Sequence, residues 1–239
     1  MQRLGTVDVG AYAKAFVLLA RNPQIVLAPL LMGVAQLLAF TVLAPGGAAF
    51  ASSGLLGLVA QLLDGFGFAI ALIIAESAWR RGRAPFDDAW DEGRRRLGDI
   101  LFATFGLGFV MYLAALAGSY IGAAAFAIVA IAWFFFIYTL PAAAIGGFPG
   151  GAALNASVER ARQAPIPTAV VTAVFLAGTA LMPTLLLTTI APLFAGMRSF
   201  GSATVDALVA YAVKAVVEGY LALVLAKTYD NVSYGRSYR

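Results

Sequence analysis

The chain has 239 residues, of which 62% are hydrophobic and 12% are charged, and its formal net charge is +4. Ordinary soluble domains are about 45–50% apolar and about 25% charged, and a mean hydropathy of +0.87 leaves this chain too few polar residues to cover a globular surface. Composition therefore excludes a soluble globular domain and a disordered chain. The absence of cysteine and histidine excludes disulfides, thiolate metal sites and the commonest general base.

Six segments are apolar over the roughly 20 residues that a transmembrane helix needs. They are predicted at residues 24–44, 55–76, 100–121, 123–145, 168–190 and 205–227. The stretch 101–145 carries no charge and is too long for one span, so a tight hairpin is predicted within 117–122. The predicted fold class is an all-α polytopic transmembrane bundle of six helices, a single integral membrane domain over residues 1–239.

Three amphipathic stretches are predicted to lie as helices at the membrane interface, with their apolar sides toward the membrane. They fall within residues 1–23, near 85–97 and within the loop 146–167, and residues 228–239 form a tail. Phe86 and Trp90 share a face of the middle helix, whose start is acidic and whose end is basic, an order that suits the helix dipole. The alternative is that these stretches are surface loops that pack on the bundle.

The distribution of basic residues predicts the orientation. Of the 16 basic residues, all except Arg198 and Lys214 fall in the N-terminal stretch, the second loop, the fourth loop or the tail. By the positive-inside rule, those segments and both termini are expected to be cytoplasmic. No cleavable signal peptide is recognised, so we expect the spans themselves to direct insertion.

The amphipathic stretches also suggest a three-fold repeat of an amphipathic helix followed by a hairpin. When Arg21, Arg96 and Arg162 are aligned, an isoleucine follows four residues later and an alanine seven residues later in each stretch. These residues are Ile25, Ile100 and Ile166, followed by Ala28, Ala103 and Ala169. The alternative is that any basic boundary of a transmembrane span has this composition.

Three short motifs carry a resemblance to a known family. They are Arg21-Asn22-Pro23 before a proline-containing first span, Tyr138-Thr139-Leu140-Pro141 at the exit of the fourth span, and Ala153-Leu154-Asn155-Ala156-Ser157 in the following loop. In these features the chain resembles the six-helix membrane domain of bacterial glycerophosphodiester phosphodiesterases and related stand-alone membrane proteins of unknown function. The sequence contains no phosphodiesterase domain, so the resemblance implies only a six-helix module of a prokaryotic inner or plasma membrane.

Ionisable residues inside a span are costly and are the first candidates for a functional site. Asp64 lies in the second span on the same helix face as Gln61, whose amide is placed to donate a hydrogen bond to it. It is either a proton or cation site or a residue of the outer interface. Lys214 and Glu218, four residues apart in the sixth span, form either a transport site or an interhelical staple with Asp64 as a third partner.

Three other charged residues receive structural assignments. Glu76 precedes Arg80 by four residues at the end of the second span, a spacing that predicts an ion pair. Arg198 and Asp206 are expected to mark the outer boundary of the membrane. For Glu76, which is also counted among the intramembrane polar candidates, a structural role is favoured.

The sequence indicates no catalytic constellation. Its serines have no histidine to activate them, and the acidic residues within 87–92 are expected on a solvated face that arginines balance. We therefore expect no enzyme activity, no cofactor, no metal and no nucleic-acid partner.

The leading hypothesis is a non-enzymatic lipid-interacting module of the membrane, or a scaffold or accessory subunit in a membrane complex or homo-oligomer. Its expected partners are membrane lipids with anionic headgroups. The predicted lipid-contacting residues are Phe86, Trp90, Arg94, Arg95, Arg96, Arg160 and Arg162. The alternative hypothesis is a small transporter or channel that uses Asp64, Lys214 and Glu218.

Overall fold

A computed structural model describes residues 7–43, 54–83, 85–122, 125–185 and 202–234, and all regular structure among them is helical. In chain order the helices are α1 (Val9–Arg21), α2 (Gln24–Leu43), α3 (Gly54–Arg81), α4 (Phe86–Arg95), α5 (Leu97–Ser119), α6 (Ala125–Phe136), α7 (Thr139–Ala144), α8 (Gly150–Gln163), α9 (Pro165–Leu185) and α10 (Ser202–Tyr234). The helices pack into one bundle, so the predicted all-α fold class is confirmed.

Among the described residues, four helical segments are long and apolar enough to cross a membrane: α3, α5, α6 together with α7, and α10. Two bent pairs raise the number to as many as six, with α1 meeting α2 at 74° and α8 meeting α9 at 114°. The apolar helices begin within three residues of the predicted starts of the spans. Residue 44, residues 186–190 and Arg198 lie outside the described residues, as does the side chain of Asp206.

Two helices continue well beyond the spans predicted for them. Helix α3 extends five residues further, to Arg81, and α10 extends seven residues further, to Tyr234. The extensions are polar and contact each other, since Arg80 Nη2 lies 3.8 Å from Asp230 Oδ1. Hydropathy predicts only the apolar part of a helix. It does not predict the polar turns at the ends of α3 and α10, which contacts with other helices stabilise.

Helix α3 lies in the core of the bundle and packs against α2, α5 and α10. All its residues from Ala69 to Ala75 are buried, as are those from Leu221 to Ala226 of α10. A helix that is apolar on every side is expected to be surrounded by other helices or by lipid. These two stretches together form the centre of the hydrophobic core.

The bend between α1 and α2 is built by polar residues. Asp8 caps the start of α1, because its Oδ1 accepts a hydrogen bond from the Ala11 N–H at 3.2 Å. At the other end, the Asn22 N–H donates to the Leu18 carbonyl oxygen at 2.9 Å. Pro23 follows directly and has no N–H with which to continue the helix.

The second hairpin contains a turn and a break. The turn falls within the predicted stretch 117–122, where Gly122 has a φ of +61°, a conformation that favours glycine. The break separates α6 from α7 after Phe136. Ser157 of α8 bridges it, since its Oγ donates to the Phe135 carbonyl oxygen at 2.8 Å and accepts from the Tyr138 N–H at 3.0 Å.

Several helix termini that carry arginine meet at one end of the bundle, which we call the basic end. Three hydrogen bonds join these termini: Asn22 Nδ2 to the Gly82 carbonyl oxygen (3.4 Å), Arg96 Nη1 to the Ala144 carbonyl oxygen (3.2 Å) and Arg160 Nε to Ser233 Oγ (2.9 Å). The basic end is therefore a connected surface made from the ends of α1, α3, α4, α7, α8 and α10.

The predicted repeat is visible in the order of elements but only partly in the residue alignment. A short helix followed by two longer segments occurs three times along the chain. Ile25 and Ile100 are both fully buried, whereas Ile166 is 60% exposed, so the third alignment is wrong. Helix α8 ends with its cap at Ala164, two residues beyond the aligned arginine, and Thr168, not Ile166, is fully buried in that unit.

Candidate functional site

Three ionisable side chains from two helices meet inside the bundle. Lys214 Nζ of α10 lies 2.5 Å from Asp64 Oδ1 of α3 and 3.7 Å from Glu218 Oε1 one turn further along α10. We call Asp64, Lys214 and Glu218 the ion triad. The hypothesis that Asp64 is a third partner of the pair in the sixth span is confirmed as a matter of geometry.

A buried amide on α2 completes the polar cluster, and sequence reasoning did not identify it. Gln36 Nε2 donates hydrogen bonds to Asp64 Oδ1 at 2.5 Å and to the Ala60 carbonyl oxygen at 3.0 Å. The expectation that Gln61 binds Asp64 is wrong, because Gln61 Nε2 faces α5 and donates to the Thr104 carbonyl oxygen at 3.2 Å. The available signal was an amide in the middle of the mainly apolar helix α2, since a buried amide needs a partner.

The ion triad lies well inside the ends of its helices. Asp64 follows the first residue of α3, Gly54, by ten residues, about 15 Å along the helix axis. Lys214 follows the first residue of α10, Ser202, by twelve residues, about 18 Å along the axis. Both helices exceed the length needed to cross an apolar layer about 30 Å thick.

Two glycines allow the helices around the triad to approach each other closely. A Cβ on Gly33 of α2 would lie 2.6 Å from the Tyr211 ring of α10. A Cβ on Gly65, next to Asp64, would overlap the Thr104 side chain of α5. Small residues at such contacts are typical of helix packing in membranes.

A cavity of about 390 Å³ borders the ion triad. Aromatic and aliphatic side chains make up most of its wall, and they include Phe68, Trp133, Leu140 and Phe175. The rings of Trp133 and Phe175 lie 4.5 Å apart, between their centroids. Ligand sites commonly have a volume of about 300–1,000 Å³ and mainly apolar walls with a few polar groups, which describes this cavity.

The composition of the cavity wall suits the binding of an amphipathic molecule. The full sequence contains no histidine or cysteine. Within the described ranges, no group of three or more acidic residues is placed to hold a metal ion. A cavity with an apolar wall and one charged edge can accommodate a molecule that has an apolar body and a polar head.

The ion pair predicted at the end of the second span is confirmed. Arg80 Nη2 lies 2.7 Å from Glu76 Oε1, and Asp230 of α10 is a second, more distant carboxylate partner of Arg80. Because these contacts join α3 to α10 at the basic end, their role in the fold is structural.

The two aromatic residues of α4 face the bundle. The Trp90 ring packs edge-on against Phe66 of α3, with 5.7 Å between centroids, and Phe86 stacks on Trp90 at 5.8 Å. Ala89 and Gly93 are buried on the same face, because their small side chains let α4 lie close to α3. The Phe86 and Trp90 rings are half-buried against the bundle, so α4 packs on α3, and the lipid contact of these two residues stays a prediction.

Glu92 forms salt bridges with two of the predicted lipid-contacting arginines, Arg95 and Arg96. Its Oε1 lies 2.5 Å from Arg96 Nε and its Oε2 lies 2.7 Å from Arg95 Nη2. Burial acts to raise the pKa of the Glu92 carboxyl, but the charges and hydrogen bonds of Arg96 and Arg95 outweigh it, and the pKa lies below its ordinary value. These contacts tie the end of α4 together.

The three remaining predicted arginines differ in their surroundings. Arg160 lies over the rings of Phe148 and Tyr229, with its guanidinium carbon 5.0 Å and 4.5 Å from their centroids. Arg94 and Arg162 are exposed. The structure therefore does not bring the predicted lipid-contacting set together as one site.

Comparison with known proteins identifies no relative: no protein-family model, no curated protein and no solved structure matches the chain. The resemblance of its motifs to a phosphodiesterase membrane domain stays a prediction.

Proposed function

We propose that the chain is a six-span integral membrane protein that binds one amphipathic molecule in the cavity beside the ion triad. It is a non-enzymatic, lipid-interacting module, and both of its termini lie on the cytoplasmic side with the basic end. The observation that carries the proposal is the placement of Asp64, Lys214 and Glu218 at the edge of an otherwise mainly apolar cavity.

The outer surface of α5 supports the location in a membrane. Phe102, Phe105, Phe109 and Leu113 fall on one side of this helix at helical spacing, and all four are exposed. Soluble proteins rarely expose continuous apolar patches of this kind. Exposure of these apolar side chains to water is unfavourable, whereas their exposure to lipid is not.

The charges of the triad indicate the class of ligand. Lys214 faces two carboxyl groups, so acidic groups outnumber basic groups at this edge of the cavity. A cationic or hydrogen-bond-donating head complements this acidic excess, while Trp133 and Phe175 line the part of the cavity that would hold the apolar body. We therefore propose ligands with an amine or hydroxyl head and an aliphatic body.

Transport of the same molecule is the second candidate function. The triad lies far from the ends of α3 and α10, and charged groups deep within a span commonly mark a substrate or ion pathway. A carrier would move the bound molecule across the membrane, whereas a binding module would only retain it.

Three probes with the same twelve-carbon chain test the proposal: dodecyltrimethylammonium, dodecanol and dodecyl sulfate. We expect the purified protein to bind the cation most tightly and the sulfate least, as measured by native mass spectrometry. The variant Asp64→Asn/Lys214→Met/Glu218→Gln should reduce the preference for the cation over the sulfate by about tenfold or more. Its shape is nearly unchanged, and because no ion is left unpaired we expect it to fold.

The matched control is Glu76→Gln/Arg80→Met, which removes an ion pair at the basic end and should keep the preference. An unchanged preference in the triad variant would contradict the proposal. Movement of dodecyltrimethylammonium into proteoliposomes that contain the protein, and its loss in the triad variant, would favour the carrier over the binding module.

A further inference from the structure

Three arginines line one recess at the basic end, remote along α3 from the ion triad. Arg21 is the last residue of α1, Arg81 is the last residue of α3, and Arg83 lies two residues further along. Together with Gly82 they line a recess of about 510 Å³. None of the three belongs to the predicted lipid-contacting set.

A buried asparagine and a glycine build this recess. The side chain of Asn22, only 2% exposed, donates from Nδ2 to the Leu18 carbonyl oxygen at 3.0 Å and to the Gly82 carbonyl oxygen at 3.4 Å. The bond to Gly82 joins the end of α1 to the end of α3. Gly82 has a φ of +76°, which favours glycine, and its N–H caps α3 by donating to the Ala78 carbonyl oxygen.

The three guanidinium groups have no partner of their own in the part of the chain that the structure describes. No carboxylate pairs with them and no hydrogen bond from them is found, whereas Arg80, Arg95 and Arg96 each pair with a carboxylate. The Leu18 and Gly82 carbonyl oxygens at the two helix ends already accept hydrogen bonds from Asn22. All three arginines line the recess, so their donors are available to a group bound in it.

Three unpaired positive charges around one concave surface repel each other and favour an anion between them. The planar guanidinium group donates two parallel hydrogen bonds to phosphate oxygens. We propose that Arg21, Arg81 and Arg83 form a binding site for the phosphate group of a phosphate ester. The ester is either the headgroup of an anionic lipid in the adjoining leaflet or a soluble molecule, and the site is independent of the cavity ligand.

The test compares two variants that lose the same charge. Arg81→Gln/Arg83→Gln removes two arginines of the recess, and Arg94→Gln/Arg162→Gln removes two exposed arginines that do not line it. Binding of phosphatidylglycerol and of phosphatidylcholine to the protein in a non-ionic detergent is measured by native mass spectrometry. Glycerol 3-phosphate and inorganic phosphate are the soluble probes.

We expect the recess variant to weaken phosphatidylglycerol binding by roughly tenfold more than the control variant does. Binding of phosphatidylcholine should be weak in the unaltered protein and in both variants. If a soluble phosphate binds with the same dependence on Arg81 and Arg83 and phosphatidylglycerol does not, the phosphate site stands and its ligand is soluble.

Equal weakening in the two variants would overturn the proposal, because it would mean general attraction of anions to a basic surface. Failure of every phosphate probe to bind the unaltered protein would also overturn it. If the double variant of the recess does not fold, Arg21→Gln against Arg162→Gln provides the same comparison with one charge removed from each.

Discussion

Single polar residues determine how the apolar helices of this protein fit together. Gln36 of α2 donates a hydrogen bond to Asp64 of α3. Ser157 of α8 bridges the break between α6 and α7. Sequence reasoning found the contacts within one helix, such as Glu76 with Arg80, because a spacing of four residues places both on one face. It missed Gln36 and Ser157 because their partners are remote in the sequence and no local pattern relates them.

Removal of the Ser157 hydroxyl tests the bridge. Ser157→Ala leaves the Tyr138 N–H without its hydrogen-bond acceptor in a fully buried position. The loss of an acceptor for a buried donor costs about 1–3 kcal/mol, so we expect a lower thermal unfolding temperature in detergent. Ser119→Ala is the matched control, since the exposed Ser119 hydroxyl only donates to the Leu116 carbonyl oxygen of its own helix. Equal unfolding temperatures for the two variants would exclude the bridge.

At the scale of elements, periodicity predicted which helices exist but not the direction that each one faces. The spacing of Phe86 and Trp90 correctly placed α4, and the same spacing is compatible with a membrane surface or a protein surface. In the structure one face of α4 packs on the protein, because Gly93 lies against Ile70 and leaves room for α4 on α3. The break after α6 was not predicted, since the stretch is apolar throughout and its stabilising contact comes from α8.

The pH dependence of α4 follows from Glu92. Because folding lowers the pKa of this carboxyl, its ionised form stabilises α4 above the unfolded-state pKa of about 4.3. That contribution is lost as the pH falls through the lower pKa of the folded state. We expect the fluorescence of Trp90, measured in a Trp79→Phe/Trp133→Phe background, to shift to longer wavelength over that acidic range.

Glu92→Gln provides the control for this titration. The substitution keeps the other acidic residues of α4. Any pH-dependent shift of the Trp90 fluorescence that persists in Glu92→Gln is therefore caused by the protonation of those residues. A Trp90 titration of the same midpoint and size in Glu92→Gln would show that the pair of Glu92 with Arg96 does not hold α4 in place.

At the scale of the whole molecule, the bundle has two distinct polar regions. The basic end contains the ends of α1, α3, α4, α7, α8 and α10. The ion triad lies about 25 Å away along α3, measured from Asp64 to Arg81. Composition and the placement of basic residues were sufficient to predict an all-α bundle with one basic side. The cavity was not predictable in position or lining, because six different helices contribute to its wall.

The absence of cysteine makes the proposed orientation simple to test. Asp88→Cys places one thiol on exposed α4 at the basic end, and Tyr120→Cys places one at the opposite hairpin, where Tyr120 is 83% exposed. In intact cells a membrane-impermeant maleimide should label only the Tyr120→Cys variant. Labelling of Asp88→Cys alone would mean the inverted orientation, and labelling of both would contradict a bundle that spans the membrane.

The most direct test of the ligand-binding account is a cryo-electron microscopy map of the protein in lipid nanodiscs that contain dodecyltrimethylammonium. We predict continuous density in the cavity, with the head of the molecule beside Asp64 and Glu218 and its chain against Trp133 and Phe175. A cavity that is closed by these side chains, or that holds only water, would contradict the account and leave the ion triad as a staple between α3 and α10.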